Sequence, residues 1–481
     1  MKVSNSYGAL GEAFSIPSLP EKAPKPKLIL WNEPLAKEFE VFKEILEDPY
    51  QQTSLFSGNT LLEGASPLAM AYAGHQFGHF SPQLGDGRAH LLFDTVDKKG
   101  VTYDVQLKGS GRTPFSRGGD GKCALGPAAR EYIMSEAMHA LGVATSRSLC
   151  VVATGESLYR QNGMNHGAII TRIASSHLRV GSLEFFAARQ KTAEVKTLLD
   201  FAAKRHFPQV SLQNKKDYLF LLEKIMKKQI DLVVSWSKVG FIHGVMNTDN
   251  TALSGQTIDY GPCAMMNNYD PATVYSSIDR EGRYSFGNQK KIALWNLTRL
   301  AECMLPLIDD NKEKAISLLN ETLETFIPLY KEAFESMMAK KLGFLKREAI
   351  DAKIAAELLE VMHKNGLDYT LTFSKLTRSL MEKEPLIEDS LKDWHYSWQK
   401  RLLQEDKKAS YALMAKNNPV LIPRNHHVEE VLAQLEETLD PSSCLLFLEA
   451  LKSPYKETPL TKKYQAPPED NDTGYQTFCG T

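Results

Sequence analysis

The chain has 481 residues, 43% hydrophobic and 24% charged, enough for more than one core when domains run to about 100 to 200 residues. Lys plus Arg number 57 and Asp plus Glu 58, a net charge of −1, so no bulk positive field exists to hold nucleic acid or an anionic membrane. There is no run of about 18 uncharged apolar residues, and the opening MKVSNSYGALGEAFSIPSLP has neither a signal-peptide core nor the Arg-rich character of a transit peptide; the expected location is the cytoplasm, with no nucleic-acid and no membrane partner.

In chain order, residues 1–65 read as an N-terminal extension, a Pro-punctuated arm (PSLPEKAPKPK) leading into a short helix near 35–46. Residues 66–165 read as β-rich. Eleven of the 30 glycines fall within residues 72–126, interleaved with AHLLF and VTYDVQL, which marks strands joined by glycine loops. Within VTYDVQLKG, Val105 and Leu107 alternate with Gln106 and Lys108, so a strand buries one face and carries Lys108 on the other. A helix is predicted from Pro127, with Gly142 past its end. Its apolar stripe is Met134, Ala137, Met138 and Leu141; Glu131 lies on the edge of that stripe and Glu136 points to solvent. SLCVVATGE and HGAIITRIA read as strands. Residues 166–440 read as α-rich: an N-cap at Ser182, then amphipathic helices over 213–237, 290–308, 311–340, 346–364 and 427–452, broken by a strand-and-turn segment at 241–261. Residues 441–481 form a C-terminal tail whose Pro-rich, polar end predicts a draped or mobile segment. The fold class is therefore α+β, β-rich first and α-rich after.

Six cysteines show no C-x-x-C pair, which argues against a zinc cage or a disulfide framework. His75 and His79 are four apart but sit among glycines, weak ground for a metal site. More informative is the strand Lys followed by a helix carboxylate. Glu131 on a packing face wants a cation, because an unpaired buried charge is costly, and Lys108 with Glu131 is the kind of pair that kinases use to hold nucleotide phosphates. Glycine-rich turns at Gly85–Gly87–Arg88, at Gly109–Arg112 and at Asp120–Gly121–Lys122 have the composition that cradles phosphate, although each alone also suits a plain hairpin. Arg172 and Arg179 add cations near the junction of the two regions and suit phosphate clamping.

The segment HGVMNTDNTALSGQTIDYG (243–261) completes the constellation. A two-residue turn at Ser254-Gly255 would pair Asn250 with Asp259 across a hairpin, with Cβ atoms about 4.5 to 5.5 Å apart. Their hard oxygens suit Mg²⁺ or Mn²⁺; the same residues also suit a cluster of Asx-turns, and Asp-Tyr-Gly reads as a D-F-G-like element. The position where kinases keep their catalytic Asp, five residues before the Asn, is Val245. Asp249 is the nearby carboxylate able to replace it as proton acceptor, provided a local kink brings it round from the opposite face of the strand.

YAGHQFGHFSPQLGDGRAHLL, QLKGSGRTPFSRGGDGK, REYIMSEAMHALGV, ITRIASSHLRVGSLEFF, HGVMNTDN, DYGP and GRYSFGNQ together closely resemble the selenoprotein O, or YdiU-like, family. The resemblance implies a bilobal protein-kinase-like pseudokinase fold that transfers AMP from ATP to Ser, Thr or Tyr hydroxyls of proteins, with the ATP in a flipped orientation. It implies that Gly85, Gly87, Arg88, Lys108, Asp120, Gly121, Arg172 and Arg179 bind the nucleotide, with Glu131 paired to Lys108. It further implies that Asp249 accepts the proton and that Asn250 and Asp259 hold Mg²⁺ or Mn²⁺. Two other readings stay open, an ordinary phosphotransferase and a non-catalytic nucleotide-binding scaffold. Family members often end in a cysteine or selenocysteine followed by two residues, matched here by Cys479-Gly480-Thr481. Where some relatives carry a second cysteine after the metal Asp, this chain has Tyr275. A tail folded back over the cleft could still pair Cys479 with Cys263; otherwise both are free thiols.

Overall fold

The computed structural model describes residues 3–160, 163–382, 388–470 and 472–478. Its strands are β1 (Ser15–Pro17), β2 (Lys27–Trp31), β3 (Leu68–Met70), β4 (Gly74–Gln76), β5 (His79–Ser81), β6 (Ala89–Val96), β7 (Thr102–Lys108), β8 (Cys123–Ala124), β9 (Arg147–Arg160), β10 (Gly163–Ala174), β11 (Phe241–Ile242) and β12 (Ala264–Met265). The main sheet runs β1-β3-β6-β7-β10-β9-β2, with β8 beside β10; β4 pairs with β5 and β11 with β12. β7 lies between β6 and β10, both antiparallel to it.

The register of β7 follows its alternating sequence. Gln106 faces Arg172, and Lys108 faces Ile170 on one side and Ala89 on the other, so Gln106, Lys108 and Arg172 share one face. Val105 and Leu107 point the other way, into a core with Leu35, Phe39, Phe42 and Phe56. The first sixty residues are thus not an extended arm. They supply strands at both ends of the sheet and, through the helices Glu33–Ala36 and Pro49–Phe56 with the 3-10 turn Glu40–Ile45 between them, cover its back. The helix expected near 35–46 is broken into these pieces, with Asn32 and Asp48 capping the two α-helices.

The helix Leu125–Ala140 packs on the front face, through Ile133, Met134, Ala137 and Met138 against Val151 and Ile170. It starts two residues before Pro127. Glu136 does not point to solvent: Arg147 donates two hydrogen bonds to it, at 2.9 and 2.7 Å, and the Ser148 amide a third at 3.0 Å. These partners come from β9, which a helical wheel cannot show.

The remainder of the chain is mainly helical, including Val180–Ala187, Thr192–His206, Lys215–Val239 and Gln289–Ile308. The stretch 311–340 divides at Thr325 into Lys312–Glu324 and Phe326–Lys341, and 427–452 divides into Asn425–Thr438 and Ser442–Leu451, where Leu439 turns left-handed (φ 54°) ahead of Pro441. The helix expected from 346 begins at Asp351, and Tyr369–Ser379, Lys392–Leu402 and Lys407–Asn417 add helices the periodicity had not singled out. Residues 472–477 are fastened rather than loose: Thr477 exchanges backbone hydrogen bonds with Tyr275 and Ser277 at 2.8 and 3.0 Å. No described helix is long and apolar enough to cross a membrane.

Candidate active site

Four charged side chains meet in front of β7. Lys108 Nζ donates to Glu131 Oε2 at 2.7 Å and lies 3.3 Å from Asp259 Oδ1. Arg172 Nε donates to the other Glu131 oxygen, and Arg172 Nη2 lies 3.9 Å from Asp259 Oδ1. Lys108, Glu131 and Arg172 are all buried. Burial alone would raise the Glu131 pKa, but Arg172 and Lys108 hold it down at about 2. Burial likewise works against Asp259, and Lys108, Arg172 and Arg88 overcome it, holding that carboxyl far below the usual range. Arg172 Nη2 is buried with no hydrogen-bond partner among the described residues. A guanidinium nitrogen at a cleft wall with no hydrogen-bond partner is a place for an anion.

The loop from β11 to β12 carries Asp249, Asn250 and Asp259. The expected hairpin does not form. Thr248–Asn250 is one turn of 3-10 helix, Ala252 bridges to Arg179, and Thr257 bridges to Thr145, so the strands on either side of Ser254-Gly255 pair outward instead of with each other. Asn250 and Asp259 nevertheless line one cavity. The 3-10 turn supplies the kink that Asp249 needs. Asn296 holds the loop in place, donating to the Met246 carbonyl at 3.0 Å and to Thr251 Oγ1 at 2.8 Å, while Asn250 Nδ2 donates to the Val245 carbonyl at 3.1 Å.

Asp249 is buried and closely packed. A Cβ on Gly74 would overlap its Oδ1, so only glycine lets β4 come this close. Gln76 Nε2 reaches its Oδ2 at 3.3 Å, and Oδ1 is buried without a partner among the described residues. Burial pushes the Asp249 pKa up to about 6, against the pull of a backbone hydrogen bond, Arg179 and Gln76. The β4–β5 hairpin is pinned to this turn: the His75 amide donates to Thr248 Oγ1 at 2.7 Å, and Glu184 accepts from Thr248 Oγ1 and bonds His75 Nδ1, both at 2.5 Å. His75 is therefore committed to Glu184, and His79 pairs in register with Gln76, so the two histidines form no joint metal site.

A cleft of about 320 Å³ opens beside these groups, lined by Gly85, Gly87 and Arg88, by Asp120, Gly121 and Lys122, and by Arg172 and Arg179. Gly85 has φ 71°, and a Cβ there would overlap the Phe115 ring, so the first glycine turn packs on the segment leading to the third. Arg179 lies over the Tyr72 ring at 4.3 Å, 4.0 Å from Asp86 Oδ1. It, rather than Ser182, is the N-cap residue of Val180–Ala187. Asp120 is tied to Arg160 at 2.8 and 3.2 Å and accepts from the Lys122 amide, and Lys122 Nζ is paired with Glu21 at 2.7 Å. Arg112 is absent from this lining; its amide donates to Glu21. Asp86, Tyr72, Phe115 and Glu184 were not picked out in the sequence, although Asp86 stands inside GDGR itself. Asp86 is buried and accepts from the Met70 amide at 3.2 Å and Gln106 Nε2 at 3.3 Å.

The family model for protein adenylyltransferase SelO matches residues 1–452. The chain belongs to that family. It is 46% identical over 486 residues to the protein nucleotidyltransferase YdiU of Teredinibacter turnerae and 48% identical over 481 residues to that of Pseudoalteromonas translucida, with all of both chains covered in each case. It is 49% identical over 479 residues to that of Anoxybacillus flavithermus, covering 99% of this chain and 98% of the relative. The family is one of protein nucleotidyltransferases.

Among the described residues no group of three or more His, Cys, Asp or Glu is gathered for a metal ion. A divalent ion here would take an amide oxygen from Asn250 and a carboxylate from Asp259, whose side chain is 30% exposed. Two hard oxygens with room for phosphate and water fit Mg²⁺ or Mn²⁺, which keep several such ligands. Cys263 is fully buried; its thiol donates to the Tyr260 carbonyl, and burial pushes its pKa up to about 12. Its pairing with Cys479 lies outside the described residues.

Proposed function

We propose that the protein transfers AMP from ATP to Ser, Thr or Tyr hydroxyls of other proteins, in a cleft between the two lobes of a protein-kinase-like fold, with ATP flipped so that its α-phosphorus faces the acceptor. The observation that carries this reading is Asp249: a desolvated carboxylate with one unpartnered oxygen, beside a cation-lined cleft, in a chain where Val245 stands in place of the usual kinase base. In the transfer, the acceptor oxygen bonds to the α-phosphorus, the bond from that phosphorus to the pyrophosphate oxygen breaks, and the acceptor proton passes to Asp249. Lys108 and Arg172 offer donors to phosphate oxygens, with Glu131 fixing both side chains. Arg88 and Arg179, with the turns at Gly85–Gly87 and Asp120–Gly121, enclose the rest of the nucleotide; the Asp120 carboxylate, already held by Arg160, shapes its turn. Asn250 and Asp259 hold Mg²⁺ or Mn²⁺, which when bound neutralises charge on the phosphates.

Incubation with Mg²⁺ or Mn²⁺ and ATP labelled at the α- or the γ-phosphate tests the reading against its two rivals. Protein-bound label is expected from the α position only, and lost in Asp259→Ala. Label from the γ position alone would replace the reading with ordinary phosphotransfer, and none from either would leave a scaffold.

A further inference from the structure

A second cavity, of about 240 Å³, meets the nucleotide cleft at Arg88, Lys108, Asp249, Asn250 and Asp259. The two cavities differ in charge. The first adds Arg117, Lys122, Arg172 and Arg179 to the shared cations, whereas the second adds no Lys or Arg and brings Phe77, Val245 and Ile278 to its wall. A polyphosphate tail is therefore drawn to the first, and the second is left for a group without phosphate charge. Gln76, the residue that bonds Asp249, lines the second cavity as well.

We propose that this second cavity is the acceptor site, and that it receives an extended segment of the substrate protein with an apolar residue next to the modified hydroxyl. The proposal rests on the adenylyl-transfer reading. In-line displacement needs the attacking oxygen on the opposite side of the phosphorus from its leaving group, and Asp249, shared by both cavities, stands where it can take the proton of a hydroxyl entering from the second. The apolar wall is built in advance. Phe77 is held in a left-handed conformation (φ 52°) by hydrogen bonds from its amide to Asn247 Oδ1 and Tyr284 Oη, both at 3.1 Å. Ile278 is 52% exposed at the mouth, an aliphatic surface free to pack against an incoming side chain. The volume admits side chains rather than a folded body, so the acceptor is presented on a loop or a tail.

The test is a peptide library with Ser, Thr or Tyr at the centre and randomised neighbours, labelled from α-labelled ATP by wild type, Ile278→Asp and Ile278→Ala. The readout is the ratio of labelling between peptides with apolar and with basic neighbours, which does not depend on how much of each variant is active. Wild type should favour apolar neighbours, Ile278→Asp should shift the ratio at least tenfold toward Lys and Arg, and Ile278→Ala should lower it; if the Asp variant labels nothing, the Ala ratio decides. An unchanged ratio in the variants would overturn the assignment. So would a wild-type protein that releases AMP from ATP to water yet labels no peptide. Absence of any AMP product from wild type would instead remove the adenylyl-transfer reading beneath it.

Discussion

Asp249→Asn should stabilise the protein while abolishing transfer. Burial raises the Asp249 pKa from an ordinary 3.8 to about 6, so the folded state binds this proton more tightly than the unfolded chain does. The stability associated with the protonated form is then fully present below about pH 3.8 and is lost as pH rises through about 6, because ionised Asp249 is accommodated better in water than beside Gly74. At 1.36 kcal/mol per tenfold change in proton affinity the loss amounts to roughly 3 kcal/mol at pH 8 and about half of that at pH 5. Asparagine has nearly the same shape and no charge, so it should recover most of this difference at pH 8 and about half of it at pH 5. Urea unfolding of both proteins at the two pH values, with chelator present, measures it. Wild-type transfer should also fall as pH is lowered, as an essential base becomes protonated. An Asn variant no more stable than wild type at pH 8, or a gain that does not shrink at pH 5, would refute the desolvation argument.

Two further outcomes follow from the buried polar clusters. Lys108→Ala leaves Glu131 with Arg172, so its cost in thermal unfolding should fall short of the ~3–5 kcal/mol of an orphaned buried charge; adding Arg172→Ala should cost more than the sum of the single changes, because both cations serve one carboxylate. Glu184→Ala, which frees His75 and Thr248, should lower kcat by roughly tenfold or more with little change in the KM for ATP, and Glu184→Gln should restore part of it, since the cluster positions the Asp249 turn without touching the nucleotide.

The parts of this site that were legible in the sequence are those whose partners lie on regular elements. Alternation placed Lys108 on one face of β7, and helical spacing placed Glu131 near the packing face; the structure joins them at 2.7 Å. The neighbourhood of Asn250 and Asp259 was reached through a hairpin that does not exist: Ala252 and Thr257 find partners in Arg179 and Thr145, and such long-range bridges leave no mark on local pattern. The same blindness explains Glu136, whose Arg147 arrives from the next strand, and residues 1–65, whose short strands have too little periodicity to announce that they join the sheet. Glu184 was hidden for another reason. On a short, apolar helix it carries no signal until His75 and Thr248, more than sixty residues away on either side, close on it.

Arg130 and Glu131 show how one turn of helix coordinates this site. Glu131 faces the sheet and fixes Lys108 and Arg172, while Arg130 donates to the Cys263 carbonyl and to Glu429, both at 2.7 Å. Glu429 also accepts from the Tyr475 hydroxyl at 2.7 Å, and Thr477 Oγ1 donates to the Pro262 carbonyl at 2.6 Å. The segment just after Asp259 is therefore held from the helix on one side and from the C-terminal residues on the other. Tyr275 takes part in the same fastening, its hydroxyl on Asp472 at 3.3 Å and its ring against Tyr475. Tyr275 thus attaches the tail through hydrogen bonds and ring packing. Cys263 itself is buried beneath this attachment, its thiol donating to the Tyr260 carbonyl.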